Sequence, residues 1–193
     1  MRHMPVRSKA KRPKKGLSWL EKIVIAVVVI VVIWGAYSLL QPAPAPVKTG
    51  LAPDFTLPVV NANGLTGQKI SLSSFRGKVV LLEFMLASCV HCQSVAPQLE
   101  NLYQQFGSQN VVFISIAGQG YGESASDVSN FIKNYRSSWI YVYDSSNTVF
   151  SSYGVQATPM FFIIAKNGQV ATACDQGETC GQTLAADLKR INV

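Results

Sequence analysis

The 193-residue sequence predicts an α/β fold. It should have a mixed central sheet with helices on both faces, an N-terminal β-hairpin extension, and one transmembrane helix ahead of everything. Three observations predict this. Apolar runs of strand length alternate with stretches of helical periodicity across the C-terminal two-thirds of the chain. Two shorter strand-like segments, joined by an Asn/Gly-rich turn, precede them. Ile23 to Leu40 then runs 18 residues without a formal charge. As a helix it would span roughly 27 Å, close to the hydrocarbon thickness of a bilayer.

Charge divides the chain in the same way. Residues 1–22 hold eight Lys/Arg and one acid, Glu21, a net of +7 that accounts for the whole formal charge of the protein. Residues 23–193 balance nine basic against nine acidic side chains. The basic pI therefore says nothing about nucleic acid binding by the folded part. A basic cluster abutting an apolar run reads as a cytoplasmic tail that sets topology and touches anionic lipid. The expected organisation is a tail (1–22), a transmembrane helix (23–40), a Pro/Ala-rich linker (41–50) and one domain (51–193). The domain should then lie outside the cytoplasm, on a single-pass, N-in protein of the cell membrane. A cleaved signal peptide competes with the anchor. The apolar core is longer than a usual h-region, and the best small-x-small site, Ala43-Pro44-Ala45, is followed by Pro46, which disfavours cleavage. No Cys follows the run to make a lipoprotein, and no amphipathic period marks a buried core helix.

Within 51–193, Phe55–Val60 and Gln68–Leu72 read as strands around a turn at Asn61–Gly67. Val79–Leu86, apolar but for Glu83, reads as a buried central strand. A helix follows from Cys89 to about Phe106, with Val95, Leu99, Leu102 and Phe106 at helical spacing. Val111–Ile116 is a second buried strand. Ser126–Tyr135 is a helix that Ser124 or Ser126 can cap. Ile140–Tyr143 is a strand and Asn147–Tyr153 a short helix. Met160–Ala165 and Gln169–Ala173 are strands joined through Lys166-Asn167-Gly168, and Thr183–Ile191 closes as a helix. Trp139, Tyr141, Tyr143, Phe161 and Phe162 read as sheet packing rather than a binding platform.

The chemistry centres on Cys89-Val90-His91-Cys92. A CxxC that follows a buried strand and opens a helix is a redox signal. A thiol at a helix N-terminus faces unpaired N–H groups and the positive end of the helix dipole, which favour its thiolate. Cys89 is thus expected to attack, and Cys92, one turn further in, to resolve. No cofactor is needed beyond the Cys89–Cys92 disulfide itself. A four-Cys zinc site with Cys174 and Cys180, or a plain structural disulfide, are the competing readings of the motif.

The domain resembles the TlpA/ResA-like group of thioredoxin-fold proteins, within the redoxin or AhpC/TSA superfamily. Four pieces carry the resemblance: Ala52-Pro53-Asp54-Phe55, Gly77 to Phe84 followed by the CxxC, the helix and strand within Asp127–Tyr153, and Thr158-Pro159. It implies a thioredoxin-like fold and a membrane-anchored thiol-disulfide oxidoreductase. Its partners would be protein thiols or disulfides and a membrane or extracytoplasmic redox partner. It further implies a cis Pro159 against Cys89, with Thr158 and Val90 at the substrate surface. Pro97 falls where the group kinks its active-site helix. Glu83 falls where the fold often buries an acid that trades protons with Cys92. The alternative for Glu83 is a carboxylate on the wetter face of its strand.

The sequence also departs from the group. Ser88 stands where a Trp often precedes the first Cys, and Met85 where a second is common, so the surface near Cys89 should be less aromatic. His91 before the second Cys resembles the DsbA-type oxidants and implies a more easily reduced disulfide. Redox direction is therefore open. Cys174 and Cys180 are expected to form a structural disulfide, although a second redox pair fits their spacing too. Two functional alternatives are weaker. A Sco-like copper module needs a distant His, and none follows His91. A peroxiredoxin-like peroxidase needs Pro and Thr or Ser at set positions where Leu82 and Leu86 stand.

Overall fold

The computed structural model describes residues 18–39, 49–120, 122–174 and 178–192, with the side chains of 38–39 and 178–182 excepted. Most of the expected basic tail, the Pro/Ala-rich linker up to residue 48, and residues 175–177 lie outside the described residues. The chain divides after Pro42 into two units.

In the first unit, helix α1 (Trp19–Leu39) is 21 residues long, or about 31 Å at the usual rise. It begins four residues before the expected Ile23. Ser18 explains the early start. Its backbone N–H donates to the Glu21 carboxylate at 2.6 Å, and its hydroxyl accepts from the Glu21 N–H at 3.3 Å. This reciprocal pair is a capping box at the helix entrance. The helix is long and apolar enough to cross a membrane.

The second unit is built on a seven-stranded sheet. Its elements are β1 (Thr56–Asn61), β2 (Gly64–Ser71), β3 (Val79–Met85), α2 (Val90–Phe106), β4 (Val111–Gly118), α3 (Ala125–Tyr135), β5 (Ile140–Asp144), α4 (Thr148–Ser152), β6 (Met160–Ile164), β7 (Val170–Cys174) and α5 (Glu178–Asn192). A single 3₁₀ turn covers Leu72–Phe75. The strand order is β2-β1-β5-β4-β3-β6-β7. β3, β4 and β5 run parallel, while β1, β2, β6 and β7 pair antiparallel. The expected mixed sheet and N-terminal hairpin are both present.

Strand alternation sorts the core into two layers. Leu81, Met85, Phe113 and Ala117 face α2, α3 and α5, packing against Cys92, Leu99, Val128, Phe131 and Leu188. Leu82, Phe84, Ile114 and Ile116 face the other way, toward Leu72, Val149, Phe150 and Tyr153. β3 is buried along its whole length. Burial of each large apolar side chain there contributes about 1.5–3 kcal/mol. The five aromatics expected to pack the sheet are all buried.

Most expected boundaries shift by one or two residues. Two move further. The hairpin turn is only Ala62-Asn63, because β2 starts at Gly64. An exposed edge strand with Gly64, Gly67 and Lys69 carries little apolar alternation to read. Helix α5 starts at Glu178, five residues before the expected Thr183.

Candidate active site

β3 hands over to α2 through the turn Leu86–Ser88, and Cys89 is the N-cap of α2. Its sulfur takes the place that an Asp or Ser oxygen fills in other caps. The Cys89 Sγ accepts the backbone N–H of Cys92 at 3.2 Å. On its other side it donates to the carbonyl oxygen of Thr158 at 3.4 Å. The Thr158–Pro159 peptide bond is cis. The loop before β6 thus lies directly against the half-buried cysteine. Val90 is 72% exposed, and His91 is exposed beside it. Ser88 is exposed as well, whereas Met85 is fully buried. Only the first of the two Trp replacements therefore shapes the surface around Cys89.

Cys92 is 0% exposed. Burial, the hydrogen bond with Cys89 and the charge of Glu83 push its thiol well above the ordinary cysteine range. Glu83, on β3, is 3% exposed and lies on the same face of the sheet as Cys92. Burial pushes its carboxyl up to about 7, against the opposing hydrogen bond from Ser115. Glu83 is therefore a buried acid, as the resemblance implied, and not a carboxylate on a wet face. Its Oε2 accepts the Ser115 hydroxyl, and Ser115 in turn accepts the indole N–H of Trp139 at 2.7 Å. Pro97 lies inside α2, in its exposed part.

Glu123 was not among the expected site residues. It lies between β4 and α3 and is only 8% exposed. Its two carboxylate oxygens accept the backbone N–H groups of Ala87 at 2.9 Å and Ser88 at 2.8 Å. Its own carbonyl accepts the Tyr143 hydroxyl at 2.6 Å. The turn leading into Cys89 is therefore tied to the β4–α3 connection by a single carboxylate. Nothing periodic marks Glu123 in the sequence. Ser115 did carry a signal: it is the one hydroxyl inside an apolar strand, at the same distance from its strand start as Glu83.

Two depressions flank the Leu86–Ser88 turn. One, of about 270 Å³, is lined by Leu86, Phe150, Val155, Ala157 and Thr158 among others. The other, of about 380 Å³, is more polar and includes Ser88, Gln93, Glu123, Asn130 and Asn134. The Cys89 side of the site is thus bordered by an apolar and a polar surface.

Cys89 and Cys92 are free thiols. Cys174 is disulfide-bonded, so it offers no thiolate to a metal. The side chain of Cys180, its expected partner, lies outside the described residues. Among the described residues, no group of three or more His, Cys, Asp or Glu converges on one point.

This geometry agrees with what the chain is similar to. The family model for the AhpC/TSA family matches residues 50–173. The chain belongs to the AhpC/TSA family. Among its relatives, the thiol-disulfide oxidoreductase ResA of Bacillus subtilis (strain 168) is 34% identical over 119 residues, 62% of each chain. ResA of Bacillus thuringiensis subsp. konkukian (strain 97-27) is 31% identical over 140 residues, 72% of this chain and 76% of that one. A crystal structure of a thiol:disulfide interchange protein, DsbE, from Chlorobium tepidum superposes with a TM-score of 0.67 at 20% identity, covering 77% of this chain and 100% of that one. At that identity the likeness shows the fold alone. The thioredoxin-like fold and the kinship with ResA-like oxidoreductases, both expected from the sequence, are borne out.

Proposed function

We propose that this AhpC/TSA-family protein is a thiol-disulfide oxidoreductase that exchanges disulfides with protein thiols outside the cytoplasm, held to the membrane by α1. The observation that carries the reading is the asymmetry of the pair: Cys89 caps a helix and is within reach, while Cys92 is sealed behind it.

As a reductant, the Cys89 thiolate attacks a substrate disulfide. One substrate sulfur leaves as a thiolate, and the other stays bonded to Cys89. Cys92 then loses its proton and attacks the Cys89 sulfur, which releases the second substrate thiolate and closes the Cys89–Cys92 disulfide. As an oxidant the same steps run backward. Two electrons move in either direction. Thr158 and Val90 border the sulfur where a substrate backbone would lie, and Pro159 shapes that loop.

Glu83 takes the Cys92 proton. A thiol held above its ordinary range needs a base, and a carboxyl near 7 suits one at neutral pH. The basic residues before α1 favour a cytoplasmic N-terminus by the positive-inside rule. Residues 41–50 would then act as a spacer and 51–193 as the catalytic domain. Cys180 is the remaining cysteine that can pair with Cys174, in a structural disulfide suited to an oxidising compartment.

Direction depends on potential, and His91 favours the oxidising side. The test of the reading is trapping. Cys92→Ser protein should accumulate mixed disulfides through Cys89, and Cys89→Ser protein should accumulate none. Hydrogen peroxide turnover by the Cys92→Ser protein without such adducts would favour a peroxidase instead.

A further inference from the structure

We propose that Ser115 and Trp139 are positioning residues that decide which oxygen of Glu83 moves the proton: they hold Oε2 as an acceptor and leave Oε1 to exchange with Cys92. The proposal rests on the reading of Cys89 and Cys92 as an exchange pair.

The argument is one of hydrogen-bond direction. An indole N–H can only donate. Trp139 Nε1 lies 2.7 Å from Ser115 Oγ, so Ser115 accepts there. The single hydrogen of the hydroxyl is then directed to its other neighbour, Glu83 Oε2. Sheet register enforces the contact. Glu83 on β3 pairs with Ser115 on β4, and Ser115 with Tyr141 on β5, so the three share one row across parallel strands. The indole is held in place by stacking on Tyr141, with centroids 5.4 Å apart and planes at 27°, and by contact with the Tyr103 ring.

The other oxygen, Glu83 Oε1, is buried with no hydrogen-bond partner among the described residues. An acceptor-bound Oε2 and an unengaged Oε1 make the two ends of the carboxyl inequivalent. The groups that face Glu83 are Cys92 and, beyond it, Cys89 on α2, Ser115 on β4 and Tyr141 on β5. Burial and the Glu83 charge keep the Tyr141 hydroxyl protonated, with a smaller contribution from Glu100. No basic side chain among the described residues acts on the carboxyl. Cys92 is the thiol in that set that must lose a proton for exchange to finish.

The step balances as follows. The Cys92 proton passes to Oε1 as its sulfur attacks Cys89 Sγ. The Cys89–Cys92 bond forms, the bond from Cys89 to the substrate breaks, and the substrate leaves with the electron pair as a thiolate. Glu83 ends neutral with the proton on Oε1, while Oε2 stays an acceptor throughout.

The test uses the reduced full chain in detergent micelles, mixed with 5,5′-dithiobis(2-nitrobenzoate) in a stopped-flow instrument across the neutral pH range. The first chromophore released reports attack by Cys89 and the second reports resolution by Cys92. Ser115→Ala removes a hydrogen bond to the charged carboxylate, so the pH midpoint of the second phase should rise by about one unit. Ser115→Thr should restore it. Trp139→Phe, which keeps the ring, should raise it by less. In difference infrared spectra, the carboxylic C=O band that vanishes in Glu83→Gln should move to higher frequency in Ser115→Ala, because the carbonyl oxygen is then the one that lost its donor. An unmoved midpoint together with an unmoved band in Ser115→Ala overturns the proposal and leaves the exchange reading standing. Should Ser115→Ala not fold, an unmoved midpoint in Trp139→Phe does the same. Absence of the second phase in the unsubstituted chain overturns the exchange reading, and this proposal with it.

Discussion

The backbone N–H of Cys92 donates to the sulfur of Cys89 across 3.2 Å. The cysteine that solvent cannot reach thereby holds the one that it can. This geometry predicts unequal chemistry. Iodoacetamide should modify Cys89 of the reduced chain at least about tenfold faster than Cys92, since only a thiolate with access reacts. Peptide mapping by mass spectrometry measures the ratio. Equal rates would mean that Cys92 opens to solvent and would remove its assignment as the resolving thiol.

Glu83 predicts a pH dependence of stability. Its folded-state carboxyl sits at about 7, against an ordinary value of 4.5. The folded state therefore binds a proton that the unfolded chain has already released. This contribution is fully present below about 4.5 and is lost as pH rises through about 7. The full span is on the order of 3 kcal/mol. Glu83→Gln should flatten that part of the curve and should be the more stable protein above neutrality. Urea unfolding on both sides of the window tests this. The same variant should slow resolution at least about tenfold, as loss of a general base does.

Glu123 predicts a local rather than a global effect. In Glu123→Gln the amide nitrogen meets one of the two N–H groups that the carboxylate now accepts. The cost should be about 1–3 kcal/mol. The Ala87 and Ser88 amides should exchange with deuterium faster than in the unsubstituted protein, while amides of β3 stay protected. Uniform acceleration across the sheet would show that Glu123 serves general stability instead of the turn.

His91 lies on the exposed first turn of α2, within reach of solvent and of a substrate. On the proposed reading, it favours the reduced pair by stabilising a neighbouring thiolate. His91→Ala should therefore lower the reduction potential of Cys89/Cys92 by about 30 mV or more, a tenfold change in the equilibrium constant. Equilibration with glutathione buffers measures it. A potential that does not move would leave His91 without a redox role.

The parts of the site that can be read in the sequence are those that local pattern controls. Strand alternation places Glu83 inside, and the strand-to-helix position of CVHC places Cys89 at a cap. The parts that cannot be read depend on tertiary contacts. Glu123 is buried only because its loop folds over Ala87 and Ser88, and one chain position says nothing of that. Trp139 reaches Ser115, and through it Glu83, only once three strands are in register. The early start of α1 is a different case. The Ser18–Glu21 capping box is present in the sequence, but a boundary drawn at the last charge, Lys22, passes over it.

The outermost strand, β2, is exposed through its middle and half-buried at its ends, with two glycines and Lys69 in its run. It covers β1, so the free rim on that side of the sheet is a polar, glycine-loosened strand rather than an apolar one. Such a rim gives a passing polypeptide little to zip onto. On the proposed reading, a protein that exchanges disulfides with other chains can thus meet them at one sulfur without recruiting them, or its own copies, along its flank.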